Sequence, residues 1–344
     1  MELSLFYFAA NAAERGPDPY RLLLDGARFA DAHNFSAVWV PERHFAPFGG
    51  LYPNPAVAGA AIAAVTSRIQ IRAGSVVVPL HHPLRLAEEW SMIDNLSGGR
   101  IGLSLASGWS STDFILRPGT YDQRRELTDQ SISQLRAIWR GEPFRDPNAP
   151  GDELLVYPRP VSDPLPLWLT TGGHPSSFET AGRAGTGLLT HLMSQSLDEL
   201  TEKISLYRKA IRDSGSQWPG HVTLMLHTYV SDDGDAAEEA RPALTPYLMT
   251  AMRSLSASAL DSGKRADDRI LRFAVSAACE RYLSSDGLIG TVDSAVLSVK
   301  RFERAGVDEI ACLVDFGISV DRTLHGLSAL AEVLQRLQGQ DGQV

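Results

Sequence analysis

Cysteine is nearly absent from this chain: 344 residues contain only Cys279 and Cys312. Both lie in apolar runs, Ala277–Ala278–Cys279 and Ala311–Cys312–Leu313, so no disulfide framework is expected and both read as reduced core thiols. Long hydrophobic runs are missing too, and none approaches the ~20 residues that span a bilayer. Positive charge is in deficit: 32 Lys and Arg face 41 Asp and Glu, a net charge of -9. That balance argues against a nucleic-acid partner, and the even spread of the acids means mainly solubility. No basic region precedes Leu3–Phe8 and no small-residue cleavage site follows it, so the expectation is a soluble cytoplasmic protein with no membrane attachment. No internal repeat or low-complexity segment occurs.

What is present is an ordinary globular composition, 44% hydrophobic and 21% charged. Apolar β-rich runs alternate with amphipathic ones. Expected strands are Leu3–Ala10, Ser36–Val40, Ile69–Leu80, Ile101–Ala106, Leu167–Thr170, Gly187–Met193, Val222–Val230 and Glu309–Phe316. Expected helices are Asp18–Asn34, Pro55–Thr66, Pro83–Asn95, Tyr121–Arg140, Ser176–Ala184, Leu197–Arg212, Val292–Ala305 and one at the C-terminus. Ser75–Val78 is apolar on both faces, as buried parallel strands are. Gly141–Gly151 reads as a loop and Leu154–Val156 as a small extra strand. About eight strand–helix units with right-handed connections most often close into a (β/α)8 TIM barrel. One domain over residues 1–344 is expected, with a helical insertion at about 233–289 between strand 7 and helix 8. The rival, an open doubly wound sheet, calls for a glycine-rich turn after the first strand. Here that strand leads into Ala9–Ala10–Asn11–Ala12–Ala13, without G-x-G-x-x-G.

Catalytic groups in such a barrel sit at the C-terminal strand ends. The second strand ends in Pro41–Glu42–Arg43–His44–Phe45, three polar groups in a row. An imidazole there can exchange protons near neutral pH, or simply bond to a backbone carbonyl. The fifth strand ends in Thr171–Gly172–Gly173–His174–Pro175–Ser176–Ser177, where helix-start N–H groups can face an oxyanion, or Ser176 or Ser177 can merely cap the helix. His81 and His82 are adjacent on an extended run and point opposite ways, and no third ligand stands at usable spacing, so no metal site is expected. Gly108–Trp109–Ser110–Ser111 is not a nucleophile elbow, since G-x-S-x-G is absent.

Pro41–Glu42–Arg43–His44–Phe45, Asn54–Pro55, and Val77–Pro83 continuing through Asp94–Arg100 resemble, in order and spacing, the bacterial luciferase-like flavin-dependent monooxygenase superfamily. Trp168–Thr170 and Gly306–Glu309 extend the resemblance over nearly the whole chain. Tyr157–Pro160 and Cys312–Gly317 resemble the branch found in natural-product biosynthesis. The resemblance implies a TIM barrel that binds FMN, as FMNH2, and uses O2 to oxygenate a small molecule through a flavin C4a-hydroperoxide. It also implies a separate flavin reductase, a free or carrier-protein-bound substrate, and a homo-oligomer, dimer or tetramer. By position it makes His44 and Arg43 the catalytic candidates, with Arg43 a fixed charge where relatives carry a second histidine. It assigns the cofactor to Asn54, Gly74, Ser75, Ala106, Ser107, Gly172, Gly173, Ser176, Ser177, His191, Leu192 and Met193, with a cis peptide at Gly74–Ser75. For Leu192 and Met193 simple core packing is equally open. Two alternatives share the scaffold: an F420-dependent hydride-transfer enzyme, and a flavin-binding protein without catalysis.

Overall fold

A computed structural model describes residues 1–11, 16–145, 151, 153–259 and 268–341. The expected loop over Gly141–Gly151 and the insertion each fall partly outside them.

Eight parallel strands close into a barrel. They are β1 (Glu2–Phe6), β2 (Ala37–Val40), β3 (Gln70–Val77), β4 (Ile101–Ala106), β5 (Leu167–Thr170), β6 (Gly187–His191), β7 (Val222–Val230) and β9 (Glu309–Leu313). Each pairs with its predecessor, and β9 closes the ring between β7 and β1 with Thr223 and Glu2 both opposite Glu309. The strands are apolar almost throughout because one face fills the barrel and the other meets helices. The helices between them are α1 (Arg21–Ala32), α2 (Pro55–Val65), α3 (Pro83–Ser97), α4 (Arg124–Arg140), α5 (Pro175–Ala184), α6 (Leu197–Asp213), α9 (Val292–Arg304) and α10 (Val320–Asp341). Their ends are written in the sequence: Asn54 caps α2 ahead of Pro55, Ser196 and Glu199 form a capping box on α6, and Gly98 ends α3 at φ 69.

The floor of the barrel is filled by one polar layer. Arg72 lies 5.0 Å from the Trp39 ring and 4.6 Å from that of Trp168, and its Nη1 donates to Glu309 at 2.6 Å. Trp39 Nε1 donates to the same carboxylate at 2.8 Å, so the barrel is plugged below and any ligand enters from the other mouth.

Four expectations need correction. The first strand stops at Phe6, because the N–H groups of Phe8 and Ala9 turn to the buried Asp315 carboxylate, at 2.6 and 2.8 Å, instead of a strand ladder. Leu154–Val156 is no strand, and only Leu154 forms a single antiparallel bridge with Phe144. The insertion holds α7 (Ala236–Ala259) and α8 (Asp268–Arg281), but also a short strand, β8 (Leu288–Gly290), that pairs with the upper end of β7. Three residues are too few to show a period. Finally, the barrel helix after the insertion, α9, is the barrel's seventh and not its eighth, since it precedes the eighth strand.

Candidate active site

The upper mouth of the barrel holds a cavity of about 200 Å3. Its base is built from strand ends: Phe6, Glu42, Gly74, Ser75, Ala106, Thr170, His191 and Met225. The pairing of β3 with β4 slips between Gly74 and Val76, leaving Ser75 as an extra residue, and Gly74–Ser75 is a cis peptide. Ser75 Oγ meets Thr170 Oγ1, which also bonds Ser104 Oγ at 2.6 Å. The roof comes from the insertion, where Tyr247, Ala251 and Leu255 stand four residues apart on one face of α7. Phe8, Phe48 and Tyr247 close one corner, with ring centroids 4.9 and 5.1 Å apart.

Glu42 is sealed in the wall with its side chain fully covered. Its Oε1 accepts from His44 Nε2 at 2.9 Å and from His81 Nε2 at 2.7 Å, and its Oε2 accepts from the Val77 N–H at 2.7 Å. Burial by itself would push this carboxyl up, but the hydrogen bonds from His44 and His81 outweigh it and hold the group below its ordinary range. Burial by itself would lower His81, yet the Glu42 bond and charge raise it. Two imidazoles thus share one carboxylate beside the cavity. His191 differs: burial pushes its ring down to about 4, so it is neutral, and its Nδ1 accepts from the Met193 N–H at 3.2 Å. Its hydrogen is therefore on Nε2.

A second cavity, about 350 Å3, adjoins the first at Thr170. It is polar, lined by Ser107, Gly172, Ser176, Ser177 and the start of α5, with Arg125 and Asp129 reaching in from α4, and burial raises the Asp129 carboxyl above its ordinary range. Gly172 has open space where a side chain would project, and Gly173 bends the turn at φ 108. Arg125 makes no ion pair among the described residues. An apolar slot beside a polar chamber that holds Arg125 at a helix start suits an elongated ligand with a flat ring at one end and an oxyanion at the other.

The expected residues divide accordingly. Gly74, Ser75, Ala106, His191 and Met193 line the first cavity, and Ser107, Gly172, Ser176 and Ser177 the second. Gly173 shapes the turn from behind. His44 lines neither cavity and reaches the first only through Glu42. Three of the expected residues are engaged elsewhere and line neither cavity. Arg43 turns away into a buried ion pair with Asp113, packed 4.7 Å from the Trp109 ring, so its charge is already matched. Asn54 spends its side-chain oxygen on the N–H groups of Ala56 and Val57, at 2.8 and 3.1 Å. Leu192 is fully buried in the core. Sequence reading missed Glu42 as the shared acceptor, His81, Thr170 and Arg125, whereas α7 lies in the insertion that was expected on this side of the barrel. For His81 the signal existed, since one member of an alternating pair must face inward. For Arg125 there was none.

Among the described residues, three ligand-type groups also gather at the lower mouth: Glu2, His221 and Glu309. Glu309 there already serves Arg72, Trp39 and Ser4, which makes it a counter-ion within the floor. No helix among the described residues is long and apolar enough to cross a membrane.

Comparison with known proteins gives a consistent result. The family model for luciferase-like monooxygenases matches residues 1–309. The oxygenase component of a flavin-dependent trigonelline monooxygenase from Acinetobacter baylyi is 24% identical, over 96% of this chain and 93% of its own. The crystal structure of monooxygenase RslO1 from Streptomyces bottropensis superposes with a TM-score of 0.82 at 24% identity, covering 98% of this chain and 100% of that one. An F420-dependent secondary alcohol dehydrogenase, solved with an F420–acetone adduct, has the same fold with a TM-score of 0.73 at 18% identity, covering 96% and 97%.

Proposed function

Since the chain belongs to the luciferase-like monooxygenase family, we propose that it is the oxygenase half of a two-component system, using FMNH2 and O2 to oxygenate a small molecule. The observation that carries this reading is the pair of neighbouring cavities, an apolar slot over Gly74–Ser75 and a polar chamber with Arg125, that share Thr170 as a wall. Gly74, Ser75 and Ala106 would bed the flavin ring, and Ser107, Ser176, Ser177 and Arg125 would hold its phosphate. When bound, reduced FMN supplies the two electrons that activate O2. In the overall reaction the substrate gains one oxygen atom, the other leaves as water with the two hydrogens of FMNH2, and FMN is released oxidised. A separate reductase must then return it to FMNH2, in keeping with the "oxygenase component" named in the relative.

The chain's own part is to orient, to exclude water and to keep a proton in place. The roof from α7 covers the slot. Glu42 holds His44 and His81 with their Nε2–H groups directed at one oxygen, a store from which a proton can be passed beside the slot. Arg43 does not join this store, being paired with Asp113.

The test is to titrate the protein with FMNH2 and with reduced F420 without oxygen, then admit labelled O2 with candidate substrates. Tighter binding of FMNH2 and one labelled atom in the product support the reading. Preference for F420 makes it a hydride-transfer enzyme. Bound FMNH2 whose oxidation in air is unchanged from that of the free cofactor makes it a flavin carrier.

A further inference from the structure

The walls of the first cavity are notable for their charge. No lysine or arginine lines it among the described residues, and the only carboxylate, Glu42, has both oxygens engaged. The nearest cation by sequence, Arg43, is turned to Asp113. From these contacts we infer that the part of the substrate entering this cavity is neutral and largely apolar, carrying no carboxylate, phosphate or ammonium. The inference deepens the oxygenase reading and rests on it only for the word substrate.

The side chains that enclose the space agree. Phe8, Phe48, Met193, Met225, Tyr247, Ala251 and Leu255 offer rings, thioethers and methyl groups. The titratable groups that face it from β6 and α7, His191 and Tyr247, are both held uncharged, as is His227 in the layer behind. Burial pushes His191 down to about 4 and His227, behind Tyr247, down to about 3, and it raises the phenol of Tyr247. His227 has no hydrogen-bond partner on either ring nitrogen among the described residues and lies among Tyr247, Tyr282 and Phe316, with centroids 4.9, 4.8 and 5.6 Å away. A carboxylate placed here would lose its water and find no counter-ion, which costs far more than an uncharged ester would. His191 Nε2–H and the Tyr247 hydroxyl remain as neutral donors, suited to a carbonyl or ether oxygen. Charged parts of a larger molecule, a carrier arm among them, would have to stay outside.

The experiment uses a matched pair of probes, methyl 2-naphthoate and the 2-naphthoate anion, titrated calorimetrically into the full chain with and without FMN. The ester should bind at least about tenfold more tightly than the anion. Ala251→Arg, which sets a cation in the α7 wall, should erase or reverse that preference, while Ala251→Phe should weaken the ester at least about tenfold by filling the space. Equal or tighter binding of the anion to the native protein overturns the inference, as does failure of both probes to bind. Failure to bind FMN is a separate result: it removes the cofactor reading, and the ester preference of the apoprotein still decides this one.

Discussion

At the scale of single residues, the upper mouth is governed by how its charges are matched. Arg43 and Asp113 neutralise each other under Trp109, and Glu42 is shared by two imidazoles. The second arrangement has a pH signature. A group whose pKa is raised in the folded state stabilises the fold fully below its unfolded value, and that gain is lost as pH rises through the folded value. His81 is raised above 6.5, so its contribution should be complete below about pH 6.5 and fade as pH rises through its folded value. Glu42 is lowered below 4.5, so its share persists above about pH 4.5 and is lost only as acid takes the pH through its folded value. Urea unfolding of the native protein and of His81→Gln, followed from about pH 6 upward, should therefore differ most at the acid end and converge as pH rises through the folded value of His81. A gap that stays constant across that range would show His81 bound as a neutral ring. The residue names were legible in the sequence, but their pairing was not: Glu42 and His81 stand 39 positions apart and meet only across adjacent strands.

At the scale of elements, local chemistry was easiest to read where an element begins or ends. Asn54–Pro55, Pro83 with Gly98, and Ser196 with Glu199 each mark a helix boundary found in the structure. The same local chemistry explains why Asn54 stands apart from both cavities. Its oxygen can cap α2 or meet a ligand, and it caps. Asn54→Ala should cost about 0.5–2 kcal/mol of stability, seen as a lower urea midpoint, while FMN affinity stays within about twofold of native. A large loss of FMN affinity at native stability would return Asn54 to the cofactor site. Elements shorter than a period were not legible. β8 has three residues, and the early stop of β1 depends on Asp315, far away in sequence.

At the scale of the whole molecule, closure of the barrel makes two rooms from residues of β1, β3, β4, β5, β6 and β7 and from Glu42 just past β2. The floor is sealed by Arg72, Trp39, Trp168 and Glu309, and the insertion roofs the opposite end. The division of labour between the rooms is measurable. FMN and riboflavin differ only by the phosphate, so Arg125→Gln should weaken FMN by roughly ten- to a hundredfold and leave riboflavin nearly unaffected. Fluorescence titration of both flavins against both proteins checks this. An equal loss for the two flavins would place Arg125 against the ring or in the fold, not at the phosphate.

The sequence by itself determined the barrel, because alternating strand and helix periods with capped ends admit few topologies once connections are right-handed. It also carried the family, and with it the strand ends on which Gly74, Ser75, Ala106 and the Gly172–Ser177 turn face the cavities. Only the tertiary structure decided which polar groups are spent on the fold and which are free for a ligand. Arg43, Asn54 and Leu192 were spent on an ion pair, a helix cap and the core, while Thr170, Arg125 and Tyr247 were brought in from other elements. The reason is physical. Periodicity and capping act over a few residues along the chain, whereas the matching of buried charges and the walls of a cavity depend on groups that are neighbours only after the barrel closes.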